Sequence, residues 1–253
     1  MTNANSAIDK AVERVIGDFQ KYPGCYFVEE DVRWRLMKEI EDALVALDIK
    51  HVKLMDGVTS LVHGEYPTPF RCSMGNRSFE LQPPESKERR GHFDIVVLNP
   101  EAASEYEFKV IRLQDYQLFR SKLQASSLPL LDCVIEIKLF RDLTHPERAE
   151  SINHQTEYAV QAVKKIAATL EVQPAYYPHK PFAKRGVVLL FDNSDLVGDA
   201  DDVDLARNHF LKVFEDAMKT IWDSVPETLL CVWATPCPMQ KREDYRGRKR
   251  LVY

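Results

Sequence analysis

No segment of the sequence approaches the roughly 20 apolar residues that a bilayer-spanning helix needs. Met1 to Lys10 are polar and lack the apolar stretch of a signal peptide. Cysteine is scarce and scattered. Cys25, Cys72, Cys133, Cys231 and Cys237 are odd in number and form no CxxC pair. That argues against a zinc knuckle and a disulfide framework, and leads to the expectation of a reducing cytoplasm. Positive charge is not in excess: the net charge is -5. The whole molecule is therefore not a general polyanion binder, and any nucleic-acid contact must come from a local basic surface. Internal repeats, low-complexity tracts and helicase or methylase motifs are also missing.

What is present is the composition of an ordinary globular chain. Its 253 residues are 45% hydrophobic and 29% charged, enough for one sizeable core. Ile8, Val12, Val15, Ile16 and Phe19 recur at helical spacing and predict a helix over 6–20, broken by Tyr22-Pro23-Gly24. A second helix is expected over 29–47, with Val32, Leu36, Ile40 and Leu44 inward. Residues 58–66 favour a strand that Pro67 and Pro69 should end, and a charged loop covers 81–91. Strands are expected over 92–98 and 130–140, with a helix over about 147–170 and a strand over 186–191. An acidic loop, a helix carrying Ala206, Phe210, Val213, Ala217 and Ile221, a strand over 229–234 and a basic tail complete the chain. Residues 101–129 read as an insertion containing a strand (YEFKVIRL) and a short helix. Trp34 and Trp233 read as core. The alternation predicts an α/β fold, a mixed sheet with helices on its faces, with no linker dividing it.

Chemistry concentrates in two strands. In Cys133 to Leu139, alternation places Val134, Glu136 and Lys138 on one side and Ile135, Ile137 and Leu139 on the other. A carboxylate and an ammonium in so apolar a strand are costly unless paired or bound to something. Asp94 is likewise a lone charge at the start of an apolar strand. Side by side, the two strands would bring two carboxylates together, for which Mg²⁺ is the usual remedy.

Gly91-His92-Phe93-Asp94-Ile95-Val96 followed by Val134-Ile135-Glu136-Ile137-Lys138 resembles the second and third motifs of the PD-(D/E)XK (restriction-endonuclease-like) nuclease superfamily. The resemblance implies an αβββαβ core over about residues 27–193, an insertion at 101–129 and a C-terminal extension over 194–253. It implies that Asp94 and Glu136 ligate Mg²⁺, for which Mn²⁺ should substitute. It also implies that Lys138 orients or activates the attacking water and stabilises the phosphate charge. The family often adds an acidic residue on the helix before the sheet, which would join Asp94 and Glu136 as a metal ligand. Glu29 and Glu30 are the candidates, and helical phase favours Glu29, which shares the stripe of Val32, Leu36 and Ile40. Gln155, on the inward stripe of the later helix, suits the polar position the family tends to place there. The family's proline is replaced by Phe93. The 41 residues between Asp94 and Glu136 exceed a plain connection, and they contain a second E-x-K, Glu107-Phe108-Lys109, in a polar context. Context favours Glu136 and Lys138.

Several features carry both a functional and a plainer reading. His63 and Glu65 alternate onto one strand face and either support the metal ligands or face solvent. Lys87, Arg89 and Arg90 either hold a substrate phosphate or are merely solvated. The tail with Lys241, Arg242, Arg246, Arg248, Lys249 and Arg250 either contacts a nucleic-acid backbone or frays. The expected activity is Mg²⁺-dependent hydrolysis of DNA, with RNA not separated from it by these motifs. The alternatives are an inactive protein of the same fold that binds nucleic acid or a partner protein, and a structural salt-bridge network in an unrelated α/β protein. Many nucleases of this fold act as symmetric dimers, so a homodimer is compatible with the resemblance. A separate partner protein is compatible with it as well.

Overall fold

A computed structural model describes residues 3–49, 51–73, 79–112, 116–141, 149–194, 200–236 and 250–252. Helix α1 (Asn3–Lys21) buries the predicted stripe, Ile8, Val12, Val15, Ile16 and Phe19. A single turn, Pro23–Cys25, separates it from α2 (Glu29–Val45), whose buried residues are Val32, Leu36, Ile40 and Leu44. Asp31 caps α2: its carboxylate accepts from the Phe27 and Val28 amides at 2.7 and 3.1 Å. A small hairpin of β1 (His51–Lys53) and β2 (Val58–Ser60) follows; β2 is the first part of the strand expected over 58–66, and β1 was not foreseen from the sequence.

The main sheet contains β3 (Val62–Ser73), β4 (Glu80–Leu81), β5 (Arg90–Leu98), β6 (Leu131–Phe140), β7 (Gly186–Asp192), β8 (Leu229–Ala234) and β9 (Arg250–Val252). Their spatial order is β4-β3-β5-β6-β7-β8-β9. Pairings from β4 through β6 are antiparallel, and those from β6 through β9 are parallel. Parallel neighbours need a crossover. Helix α6 (Ala149–Leu170) supplies it between β6 and β7, and α7 (Ala200–Met218) between β7 and β8. The molecule is thus mixed α/β, as expected.

Between β5 and β6 lie three helices, α3 (Pro100–Ala103), α4 (Phe108–Ile111) and α5 (Tyr116–Ala125). Two expectations fail here. Strand β3 does not end at Pro67 but runs through Pro67 and Pro69. The ladder with β5 shifts register between Pro67 and Arg71, and the ladder with β4 begins at Cys72. Pro69 therefore falls in the shift itself, and Pro67 is the last pair before it, opposite His92. The strand expected at 106–113 is the helix α4 instead. Strands β5 and β6 pair directly, so this segment does not add a strand between them. Tyr106 is buried at the bend before α4 and Val110 and Ile111 within it, and Asp56 accepts from the Phe108 amide at 2.7 Å.

Two glycines mark the faces of the sheet. A Cβ on Gly64 would lie 3.1 Å from the Met37 sulfur on α2. One on Gly186 would lie 2.2 Å from Ile166 Cγ2 on α6. Gly64 shares a cross-strand row with Ile95 and Ile135, whereas Gly186 shares one with Val134 and Val96. Those rows alternate, so α2 and α6 cover opposite faces. Ile166 is β-branched and cannot swing away. Gly186→Ala should therefore destabilise by about 1–3 kcal/mol, read as a lower urea midpoint with unchanged slope. No helix among the described residues is long and apolar enough to cross a membrane.

Candidate metal centre

The strands β5 and β6 pair from Leu98↔Leu131 to Ile95↔Ile135. The next positions, Asp94 and Glu136, stand on neighbouring strands where the ladder stops. There an Asp94 side-chain oxygen takes the bond a backbone carbonyl would have made, accepting the Ile137 amide at 2.7 Å. The strands fork at this point, and the fork collects charge from both faces of the sheet. In the β3 ladder, Gly64 opposes Ile95 and Tyr66 opposes Phe93, which places Glu65 beside Asp94. Glu65, Asp94 and Glu136 thus fall on one row across three strands. Glu65 has φ 51, in the left-handed region. Its exposed carboxylate bonds Arg33 of α2, whose guanidinium also lies 3.8 Å from Asp94 Oδ1.

Glu136 is only 3% exposed. Its Oε1 meets the Nζ of Lys165, on α6, at 2.5 Å. Lys165 is itself buried, donates to the His92 carbonyl at 2.7 Å and lies 5.8 Å from the centre of the Phe93 ring. It spans the fork, one bond to β5 and one contact to β6. Burial pushes the Glu136 pKa up and the Asp94 charge adds to this, while Lys165 and Lys138 oppose both. Lys138 Nζ donates to the Ile137 carbonyl at 2.7 Å and to Glu29 Oε2 at 3.3 Å. Burial alone would lower the Lys138 pKa, but Glu136, Glu29 and Asp94 together hold it above the ordinary value. At neutral pH it is an ammonium ion. Glu29, in the first turn of α2, also accepts from the Leu139 amide at 3.3 Å.

The sequence-derived set of Glu29, Asp94, Glu136 and Lys138 therefore meets at one place. Gln155 is half-buried on α6, about 15 Å along the helix from Lys165, so the helix meets Glu136 well away from it. His63 Nε2 lies 2.9 Å from the Ser60 carbonyl, and burial lowers its pKa. That contact turns it toward the preceding strand. Lys87 and Arg89 are exposed. Arg90 packs its guanidinium 4.8 Å from the Tyr116 ring centre, a packing role that a solvated loop would not give it. Arg246, Arg248 and Lys249 lie outside the described residues, as do Lys241 and Arg242. Glu107 and Lys109 pair with each other at 3.0 Å on α4, off the sheet. Trp34 is 67% exposed and not core, because its helix turns Val32 and Leu36 inward instead. Trp233 is core, packed with Phe140 and Phe210.

No protein-family model, no curated protein and no solved structure matches this chain. The site rests on its own geometry. Lys165 and Arg33 were not singled out from the sequence. Lys165 had a signal: it sits three residues after the inward Ala162 and four before the buried Thr169, an inward helical position.

Among the described residues, no three His, Cys, Asp or Glu side chains converge as a metal cage. Mg²⁺, however, is commonly held by one or two carboxylates plus water. Asp94 and Glu136 are an all-oxygen pair of that kind, and the buried Oε1 of Glu136 already faces a cation, Lys165. The donor chemistry fits a divalent ion, with Glu29 committed to Lys138.

Glu136 has a folded-state pKa above its unfolded one, so the folded protein takes up that proton first as pH falls. Its contribution to stability is present at low pH and is lost as pH rises through the raised value. Melting curves taken between about pH 4 and 8 should show this slope in the wild type and its loss in Glu136→Gln.

Proposed function

We propose that this chain is a divalent-metal-dependent nuclease of the PD-(D/E)XK type that hydrolyses phosphodiester bonds of DNA. The observation that carries the reading is the fork, where Asp94 and the buried Glu136 stand on adjacent strands with the Lys138 ammonium two residues on. The element order supports it: α2, the antiparallel β3, β5 and β6, then α6 and the parallel β7 follow the αβββαβ sequence of the restriction-endonuclease-like core. Asp94 and Glu136 would hold the ion, Mg²⁺ by preference and Mn²⁺ in its place, which would supply Lewis-acid polarisation of a phosphate oxygen.

The remaining work falls to the chain. Lys138, partly exposed at the fork, orients water toward phosphorus and offsets the negative charge that grows on the phosphate oxygens. Glu29 holds that ammonium from the first turn of α2. Arg33 neutralises Glu65 and stands near Asp94, which limits repulsion along the carboxylate row. The test is plasmid nicking with Mg²⁺ against EDTA, run with Asp94→Ala. Metal-dependent nicking by the wild type and none by the variant is the expected result. Equal nicking by both would mark a contaminant and remove the assignment.

One observation favours a second reading, a protein of this fold that binds nucleic acid or a partner without cleaving. Glu136, Asp94 and Glu29 each face a cation of the chain itself, Lys165, Arg33 and Lys138. Calorimetry with Mn²⁺ separates the two, because a dead scaffold gives no heat that depends on Asp94.

A further inference from the structure

We infer that Lys165 is an internal counter-ion of the metal centre, a cation that occupies the ion's position against Glu136 and that a divalent ion must displace. The inference rests on the metal-dependent reading above and adds a control on loading.

Three observations carry it. Lys165 Nζ touches Glu136 Oε1 at 2.5 Å, and both side chains are almost fully buried, at 5% and 3% exposure. Water therefore screens the contact weakly, and few other groups are available to share the charge. Second, Lys165 enters from α6, on the face of the sheet opposite α2, and is anchored to β5 by the His92 carbonyl at 2.7 Å. It bridges the two strands just where the backbone ladder between them ends. Third, the neighbouring carboxylates also face cations of the chain, Lys138 on Glu29 and Arg33 shared between Glu65 and Asp94. Four carboxylates then stand against three cations, and Lys165 is the one that faces Glu136.

A dication bonded to a carboxylate oxygen sits about 2.0–2.1 Å from it. Placed on the Glu136 oxygen that Lys165 touches, it would lie against an ammonium in a weakly screened interior, and the two charges repel. Binding must therefore swing Lys165 away from Glu136. The His92 carbonyl offers the lysine a partner on the way, so the exchange leaves no bare ammonium. Lys165 in this role lowers metal affinity and keeps the carboxylates compatible with folding when no metal is bound. A lysine that merely ties β5 to β6 would have the first anchor but no effect on affinity for the ion.

The test is Mn²⁺ binding by calorimetry, paired with the Mn²⁺-induced rise in melting temperature, for the full chain and for Lys165→Gln and Lys165→Arg. Glutamine keeps a donor for the His92 carbonyl and removes the charge; arginine keeps the charge. Lys165→Gln should bind Mn²⁺ at least about tenfold more tightly than the wild type and gain more melting temperature from it. Lys165→Arg should stay close to the wild type. If Lys165→Gln folds only when Mn²⁺ is supplied, the inference stands, because the ion then does the work of the lost ammonium. Unchanged or weaker Mn²⁺ binding, or a fold that Mn²⁺ does not rescue, would overturn it while leaving Asp94-dependent binding in the wild type as support for the metal centre. Absence of Asp94-dependent binding in every protein would overturn both.

Discussion

On the proposed reading, replacing Lys138 with alanine is expected to lower kcat for Mg²⁺-dependent DNA cleavage by about 10²–10³-fold, the usual cost of removing one preorganised transition-state stabiliser. Mn²⁺ affinity should change little. The reason lies in the way the lysine is held. Its ammonium bonds the Ile137 carbonyl and Glu29 and touches neither Asp94 nor Glu136 among the contacts at this site. Glu136, Glu29 and Asp94 favour its protonated form, so the role proposed for it is that of a fixed positive charge and not proton abstraction. Such a charge acts on the transition state, where phosphate charge grows, more than on the ground state. Lys138→Arg should recover part of the rate. Glu29→Gln should fall between wild type and Lys138→Ala, since it loosens the lysine without removing it. Single-turnover cleavage, measured beside Mn²⁺ calorimetry, separates these outcomes from a loss of metal.

The second large effect concerns stability and lies away from the fork. Asp192, at the end of β7, is fully buried and receives Arg207 Nε at 2.5 Å, the Ser194 amide at 2.9 Å and the Ser194 hydroxyl at 2.5 Å. Arg207 is equally buried, at 3% exposure. Removing one partner of such a pair leaves an uncompensated charge, at a cost of about 3–5 kcal/mol. Arg207→Met should therefore melt on the order of 10 °C lower than the wild type, at roughly 2–4 °C per kcal/mol for a chain of this size. Burial raises the Asp192 pKa against the pull of Arg207 and Ser194. A carboxyl with a raised folded value costs stability as pH rises through that value and recovers it as pH falls. The variant should thus regain part of its loss in mild acid. Arg207→Met combined with Asp192→Leu should be more stable than Arg207→Met alone, because no buried charge is left.

The legible parts of the sequence were those where one signal dominated. Strands β6, β7 and β8 are apolar on both faces, and α1 and α2 carry strict stripes, so their positions followed from pattern alone. Asp94, Glu136 and Lys138 stood out because charge is expensive in such strands. Glu29 was separated from Glu30 by helical phase, and it is Glu29 that meets Lys138. What escaped depended on tertiary context. The prolines of β3 sit at a shift in the ladder that no local pattern announces. Val110 and Ile111 favour strand by propensity, but they are buried in the short helix α4 instead. Lys165 lies on α6, remote in sequence from Glu136, and a lysine on a helix reads as solvated until its partner is known. The pairing of Glu65 with Arg33 depends on a left-handed residue inside a strand, which sequence pattern does not signal for glutamate.

On the proposed reading, Asp94 and Glu136 hold one divalent ion between β5 and β6. Crystals soaked in Mn²⁺ and measured at the manganese absorption edge test it most directly. An anomalous peak is expected within bonding distance, about 2 Å, of a carboxylate oxygen of each residue, with Lys165 drawn off Glu136. No peak at that position, with Lys165 still on Glu136 at saturating Mn²⁺, would contradict it.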